Sequence, residues 1–251
     1  MHVLALDFPP ISHLVEWKAF GLGINKVVLG FFFALIATTV LFMLGGQKKA
    51  LVPAGAQNLA EASVDFIREG IVMQMIGPDG MTFVPLLLAL FFFIFFNNIL
   101  EVIPGWQMPG NARMAMPAFL ALLVWVVFNV VGVAKQGLGH YLKNSLFPPG
   151  VPKALYLLVT PIELVSTFIV RPFSLAVRLF ANMLAGHILL VTFAVLASAL
   201  WTKSLLAIIV PLPAVMLVLL TGFEVLVALL QAYIFTILAA VYIGGAMHPE
   251  H

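Results

Sequence analysis

An arginine lies in the middle of a long apolar segment, Pro172-Phe-Ser-Leu-Ala-Val-Arg-Leu-Phe-Ala-Asn-Met-Leu-Ala-Gly-His187. Arg178 is the only charged residue between Arg171 and Lys203. A guanidinium cannot lose its proton in a protein, so burial does not neutralise it. A charged side chain at membrane depth is costly and usually faces a carboxylate, a water-filled cavity or both. An ion pathway is therefore the first functional hypothesis for this chain.

The composition outside this segment predicts an integral membrane protein. The chain has 251 residues, of which 63% are hydrophobic and only 9% are charged, and its mean hydropathy is +1.14. A water-soluble domain of this length cannot bury so much apolar surface. We expect an all-α fold in a lipid bilayer, with residues 1–251 forming a single membrane domain. It would comprise an N-terminal segment 1–26, peripheral helices and loops over 27–150, and a helical hairpin over 151–251.

Several classes of function are excluded by what the sequence lacks. It contains no cysteine, which excludes disulfides and thiolate chemistry. The formal charge of +2, without a basic run, argues against nucleic acid binding. Hydrolase and phosphate-loop motifs are missing and the six histidines are scattered, so no cofactor or metal is expected. The first 26 residues do not resemble a cleaved signal peptide.

Three uncharged stretches, 27–47, 81–100 and 114–134, have the length of ordinary membrane spans. Each holds about 20 residues, which as a helix crosses a hydrocarbon core about 30 Å thick. The backbone must satisfy its own hydrogen bonds there, so these stretches are predicted to be helices.

The stretch 60–75 has two faces at helical spacing. The charged residues fall on one face and apolar residues on another: Glu61, Asp65, Arg68 and Glu69 against Ala60, Val64, Ile67 and Ile71. This pattern predicts an amphipathic helix on the membrane surface. A solvent-exposed helical linker is the alternative.

Two apolar stretches near the C-terminus, 161–200 and 213–246, are longer than a span requires. As helices they would measure about 60 Å and about 50 Å. Either each breaks into pieces, or both form a hairpin of long, steeply tilted membrane helices. We expect the hairpin, with Pro172 able to kink its first arm.

The basic residues favour one orientation. The connections 48–80 and 135–160 hold six of them, Lys48, Lys49, Arg68, Lys135, Lys143 and Lys153. The other side would hold Lys18, Lys26, Arg113 and Lys203. The richer side is expected to be cytoplasmic, with the N-terminus outside and the C-terminus inside.

The polar residues of the two arms have an informative spacing. Arg171, Ser174, Arg178 and Asn182 form one helical stripe, and Glu224 and Gln231 share a face of the second arm. His187 lies nine residues after Arg178, half a revolution around the helix, and should face a different neighbour. Plainer roles remain open: interhelical hydrogen bonds for Ser174 and Asn182, a core histidine, a salt bridge between Glu224 and Arg178, and an interfacial Glu101.

Three segments together resemble subunit a of the F-type ATP synthases, the membrane stator beside a rotating ring. They are the segment Pro172 to His187, the segment Leu230-Gln-Ala-Tyr-Ile-Phe-Thr-Ile-Leu-Ala-Ala-Val-Tyr242, and the weaker match Asn98-Ile-Leu-Glu-Val-Ile-Pro104. Their order and separation fit the family over nearly the whole chain. One difference is that the spacing from Glu163 to Arg171 is one residue longer than in many members.

The resemblance implies a role for each polar residue. Arg178 corresponds to the family's essential arginine, which faces the carboxylates of the rotor ring. The outer half-channel would be lined by Asn182, His187, Glu224, Gln231 and Glu101, and the inner half-channel by Glu163, Ser166 and Ser174. In some members the acid is on the first arm and the histidine on the second, whereas here this pair is exchanged.

The resemblance also implies a function and partners. The chain would be the proton-translocating stator subunit of an ATP synthase in a bacterial plasma membrane, without catalytic activity of its own. Its partners would be a ring of c subunits, b-type subunits of the peripheral stalk and the remainder of the synthase. The residues alone leave two other classes open, a self-contained secondary transporter or channel and an assembly scaffold without an ion role.

Overall fold

The computed structural model of the protein describes residues 25–47, 54–103, 106, 110–147, 152, 155–201 and 208–247. Within these ranges the regular structure is entirely helical. Five helices are long and apolar enough to cross a membrane. The expected all-α membrane fold is confirmed, whereas residues 1–24, which hold nearly all of the N-terminal segment, lie outside the described part.

Three of these helices are the ordinary spans that the sequence predicts. They are α1 (Lys26–Gln47), α3 (Val84–Ile99) and α4 (Ala115–Gln136). A 3-10 turn, Pro78–Phe83, precedes α3 and brings that span to 22 residues. The first and third keep the predicted boundaries to within two residues, and the second begins three residues earlier than predicted.

The amphipathic stretch forms α2 (Ala56–Ile67), which continues through a π turn, Arg68–Val72, into Met73–Met75. Its charged residues are exposed, as expected. Its apolar face differs from the prediction of a face against lipid, because Ile67 and Ile71 are fully buried in the protein's own core. Contacts with α1, α3 and the last long helix cover that face.

The two long arms are continuous helices. The first, Tyr156–Leu200, holds 45 residues and is built of α6 (Tyr156–Val165), a π turn (Ser166–Val170) and α7 (Arg171–Leu200). The second is α8, Pro211–Met247, with 37 residues. α7 and α8 pack against each other as a hairpin. Their inclination to the bilayer stays a prediction, because helix length does not fix an angle.

The π turn Ser166–Val170 lies between Glu163 and Arg171, where the family resemblance implies one extra residue. In a regular α-helix one added residue would rotate everything before it by about 100°. A π turn accommodates an added residue within one wider helical turn. Pro172 is the second residue after this turn, and it has no N–H to donate to the turn's carbonyls. The widened turn therefore lets α6 run on into α7 without a break.

The core is formed where α8 packs on α3, α4 and α7. The face of α8 in this core is rich in small side chains, including the fully buried Ala232, Ala239 and Ala240. Small residues let helix backbones approach closely, which favours van der Waals packing where lipid supplies no hydrophobic driving force. α7 contributes Leu175, Ala176 and Leu179 from the same side of the helix. The opposite side of α7 is left uncovered.

Candidate functional site

Arg178 lies on the uncovered side of α7. It is the central residue of the 45-residue helix Tyr156–Leu200, and its side chain is exposed. Among the described residues it makes no ion pair. Asn182, one turn further along, is exposed on the same side. This surface therefore presents a permanent charge and an amide at the middle of an otherwise apolar span.

His187 faces the protein interior, as the half revolution between the two residues predicts. Its Nδ1 lies 3.8 Å from Oε1 of Glu101, and the side chains are only 7% and 1% exposed, respectively. Glu101 follows the C-terminal end of α3, so this contact joins that helix end to the outer half of α7. The structure thus brings together two of the residues assigned to the outer half-channel.

Glu224 lies beside this pair. Both of its carboxylate oxygens are 2.5 Å from the position that a Cβ at Gly186 would take. The absence of a side chain at Gly186 therefore makes the space for the carboxylate, one residue before His187. Gln231 is buried on the same face of α8, at 4% exposed, two turns from Glu224 at 3%. Asn182 is the exception among the outer residues, because it lies with Arg178 on the exposed side.

Three asparagines extend the polar region beyond Glu101. Asn97, Asn98 and Asn111 are at most 1% exposed, and Asn111 donates from Nδ2 to Oδ1 of Asn98 over 2.7 Å. Most of the buried side-chain atoms without a hydrogen-bond partner in the described protein lie here, on these asparagines, Trp106, Glu101 and Glu224. Buried polar atoms are normally satisfied by protein or water. This concentration is typical of a hydrated passage.

Glu101 lies just outside the candidate spans, and its environment favours the protonated acid. Burial, and then the nearby Glu224 carboxylate, raise the pKa of Glu101 to about 9. A neutral Glu101 beside a neutral His187, and a carboxylate beside an imidazolium, contain the same number of protons. The two arrangements differ only in which residue holds one proton, and a direct transfer requires the 3.8 Å between the two atoms to shorten to hydrogen-bond distance.

The three residues of the predicted inner half-channel lie on the other side of Arg178. Glu163 is on α6, Ser166 opens the π turn and Ser174 is on α7, and all three side chains are half-buried. Glu163 lies about 22 Å before Arg178 along the helix axis, and His187 about 14 Å after it. Along this arm, Glu163, Ser166 and Ser174 therefore precede Arg178, and His187 follows it.

Several residues of this site are not predicted by the sequence pattern. Gly186 and Asn98 lie inside the segments that resemble the family, while Asn97 and Asn111 lie outside them. A glycine beside a histidine does not by itself indicate a functional site. Its role is visible only when the packing of Glu224 against Gly186 is known. Two adjacent asparagines at the end of an apolar span are a polar signal that could have been used.

The chain is similar in sequence to a known family of membrane proteins. The family model described as "ATP synthase A chain" matches residues 27–244, a range that contains every residue of the site. The chain belongs to this family. It is 44% identical to the ATP synthase subunit a of Frankia alni, over 94% of this chain and 84% of that protein. It is 40% identical to the subunit a of Rhodococcus erythropolis, over 97% and 89% of the two chains.

A relative from Maricaulis maris, also an ATP synthase subunit a, is 41% identical over 96% of both chains. Membership in the ATP synthase A chain family therefore extends over the spans, the hairpin and both polar groups. The resemblance of the three short segments to this family is confirmed over most of the chain.

Proposed function

We propose that this chain is the proton-translocating stator subunit of an F-type ATP synthase. It provides two offset aqueous half-channels to the carboxylates of a rotor ring and couples proton flow to rotation and ATP synthesis. The chain carries no catalytic site for ATP itself. The observation that carries the proposal is the exposed Arg178 at the centre of the 45-residue helix.

An exposed guanidinium at mid-span needs a partner other than lipid. Among the described residues no carboxylate pairs with Arg178, which leaves its guanidinium accessible to a carboxylate of another subunit. A ring of c subunits with carboxylates at mid-membrane supplies it. Arg178 favours the anionic form of the carboxylate that reaches it and repels protons that would pass directly between the half-channels.

The outer half-channel reaches the ring by way of Glu101, His187 and Glu224, with Gln231 further along α8. The contact of His187 with Glu101 and the closeness of Glu224 to Gly186 support this order. Asn182 lies at the ring-facing surface beside Arg178, where the path opens. A proton delivered there neutralises a ring carboxylate, which then turns into lipid without the cost of a buried charge.

The inner half-channel runs past Ser174, Ser166 and Glu163. A ring carboxylate that returns to Arg178 releases its proton to this side. With the basic connections in the cytoplasm, the release is inward and the C-terminus is cytoplasmic. The plasma membrane of a bacterium is the expected location, and b-type subunits of the peripheral stalk hold the chain against rotation. ATP hydrolysis drives the same steps in reverse.

The test of this function is reconstitution in liposomes. A complete complex should make ATP when a proton gradient is imposed, and the purified chain alone should neither transport a solute nor couple proton flow to ATP synthesis. Coupled transport by the isolated chain would instead identify a secondary transporter. Full coupled activity in a complex without Arg178 would favour an assembly scaffold.

We expect Gly186→Ala to slow proton transport several-fold while the complex still assembles. The new methyl group would occupy the space of the Glu224 carboxylate, whose flexible end can move aside at small cost. Proton flux through vesicles with matched amounts of complex measures the effect. Gly46→Ala is the control, because no atom lies within 4 Å of a Cβ at that helical position. Normal flux in the Gly186 variant would remove the Glu224 carboxylate from the path.

We also expect a cysteine in place of Glu163 to react with a membrane-impermeant thiol reagent supplied from the cytoplasmic side. The chain contains no other cysteine, so the reaction reports on this position alone. Leu164→Cys is the matched control, since the neighbouring Leu164 is 47% exposed on an apolar surface and should meet lipid. A thiol in lipid ionises poorly and should stay unreacted. Equal reaction rates at both positions, or protection of position 163, would place Glu163 outside the path.

A further inference from the structure

Helix α5, Leu138–Leu146, carries none of the residues assigned to the proton path, and it packs against the end of α4 and against α6. The chain reverses at Gly137, whose φ of 77° favours glycine. Tyr141 then packs on Gly132, which leaves room for its ring. The Tyr141 hydroxyl donates to Oδ1 of Asn129 over 3.0 Å. α5 therefore folds back alongside the last two turns of a membrane span.

A second set of hydrogen bonds fixes the same helix to α8. Asn144 donates from Nδ2 to Oε1 of Gln136 over 2.9 Å. Gln136 in turn donates from Nε2 to the carbonyl of Ala246, near the end of α8, over 2.8 Å. This carbonyl belongs to the last turn of a helix, where intrahelical partners are missing. The position of α5 relative to the hairpin is thus set by the fold and does not depend on a partner.

The remaining surface of α5 divides into two stripes. Successive residues turn by about 100°, so Leu138, Leu142 and Leu146 form an apolar stripe, and His140 and Lys143 form a polar one. Leu138 is 61% exposed and Leu142 38% exposed, and both polar residues are exposed as well. A short helix with one face on the protein, one apolar face and one basic face fits the boundary between acyl chains and headgroups.

The sequence on both sides of α5 is basic, and α6, which packs against α5, carries one acidic residue, Glu163. Lys135, at the end of α4, and Lys143 are exposed and make no ion pair with a described residue. The whole sequence from Val102 to Ile162 contains no acidic residue. Nearby, Phe147 and Tyr156 pack edge to face with ring centroids 5.5 Å apart, and such aromatic side chains are enriched at membrane interfaces.

We propose that α5 and the end of α4 form a binding surface for anionic phospholipid. The leucine stripe contacts the acyl chains, and Lys135 and Lys143 contact the phosphate of the headgroup. The acyl chains of a zwitterionic lipid can contact the apolar stripe equally well. Its headgroup, however, offers no net negative charge to the ammonium groups of Lys135 and Lys143. The surface therefore selects anionic over zwitterionic headgroups, and this selectivity does not require that protons move through the chain.

The preference can be measured with a fluorophore attached through Gly139→Cys. Gly139 is exposed, and no atom lies within 4 Å of a Cβ there. In phosphatidylcholine nanodiscs, nitroxide-labelled phosphatidylglycerol should quench this fluorophore more strongly than nitroxide-labelled phosphatidylcholine. Each of Lys143→Gln and Lys135→Gln should lower the preference by about fivefold, and high salt should also lower it. Leu142→Asn should weaken quenching by both lipids.

The control is Arg68→Gln, which removes an exposed basic residue that already pairs with Glu69 at 3.3 Å. It should leave the preference at position 139 unchanged. Equal quenching by the two lipids, or a preference that survives loss of both lysines, would overturn the proposal. A preference abolished by inorganic phosphate at constant ionic strength would indicate a soluble anion instead. Loss of quenching by both lipids in the complete synthase would assign the surface to a neighbouring subunit. Because no readout depends on proton flow, failure here leaves the proposed function standing.

Discussion

Replacing Arg178 with alanine is expected to abolish ATP synthesis and ATP-driven proton pumping, while passive proton leak through the complex persists or rises. An adjacent cation favours ionisation of a carboxyl by about 10- to 1000-fold. Without it, a ring carboxyl has little reason to release its proton inward. The same change removes the positive charge that separates the half-channels. Both effects follow from the exposed position of Arg178 at the centre of its helix.

The substitution Arg178→Lys tests whether a positive charge alone is sufficient at this position. Lysine keeps a positive charge but lacks the planar, delocalised guanidinium, and its ammonium can lose a proton when desolvated. We therefore expect poor rescue of ATP synthesis even in a fully assembled complex. ATP synthesis and passive proton flux should be measured in vesicles that contain equal amounts of complex. Near-normal synthesis in the alanine variant would contradict the mechanism proposed here.

Glu224→Gln is expected to lower proton transport by about tenfold or more, because the amide cannot exchange a proton as a carboxyl does. Glutamine has nearly the same size, so it still fits against Gly186. Oε2 of Glu224 has no hydrogen-bond partner in the described protein, and assembly should change little. Glu224→Ala should likewise slow transport more than it reduces the amount of complex. Proton flux and the yield of complex are measured on the same preparation.

Thr221→Val serves as the control for Glu224. Thr221 lies one turn earlier on α8, and its hydroxyl bonds only the carbonyl of Leu217 in its own helix. This variant should transport protons at the normal rate. If the Glu224→Gln complex also pumps normally, Glu224 has a structural role only. A fall in both variants would indicate a general disturbance of α8 rather than a lost proton carrier.

The sequence predicted those parts of the fold that depend on local pattern and length. Apolar runs of span length gave α1, α3 and α4, because a backbone in lipid has few alternatives to a helix. The excess length of the last two runs gave the hairpin arms. The spacing of Arg178 and His187 separated an exposed face from a buried one, since helical geometry alone sets the angle.

Contacts between segments that are distant in the sequence could not be predicted from local patterns. The apolar face of α2 was assigned to the membrane surface, because Ile67 and Ile71 suit lipid as well as protein. Only the folded chain shows that α2 covers neighbouring helices. Likewise, the approach of His187 to Glu101 and of the Glu224 carboxylate to Gly186 joins three separate helices at one place. Such choices depend on the rotation and register of packed helices, which periodicity does not fix.

The uncovered face of α7 also has an energetic consequence for the subunit before its complex is complete. A chain newly inserted without its ring would hold the guanidinium of Arg178 against hydrocarbon. From the centre of so long a helix, the side chain cannot reach a headgroup by extending along the surface. Water defects or a shift of the helix would have to accommodate it, at a cost of several kcal/mol. In the proposed function, early association with the rotor ring would remove this cost, so assembly of the complex would stabilise the newly inserted chain.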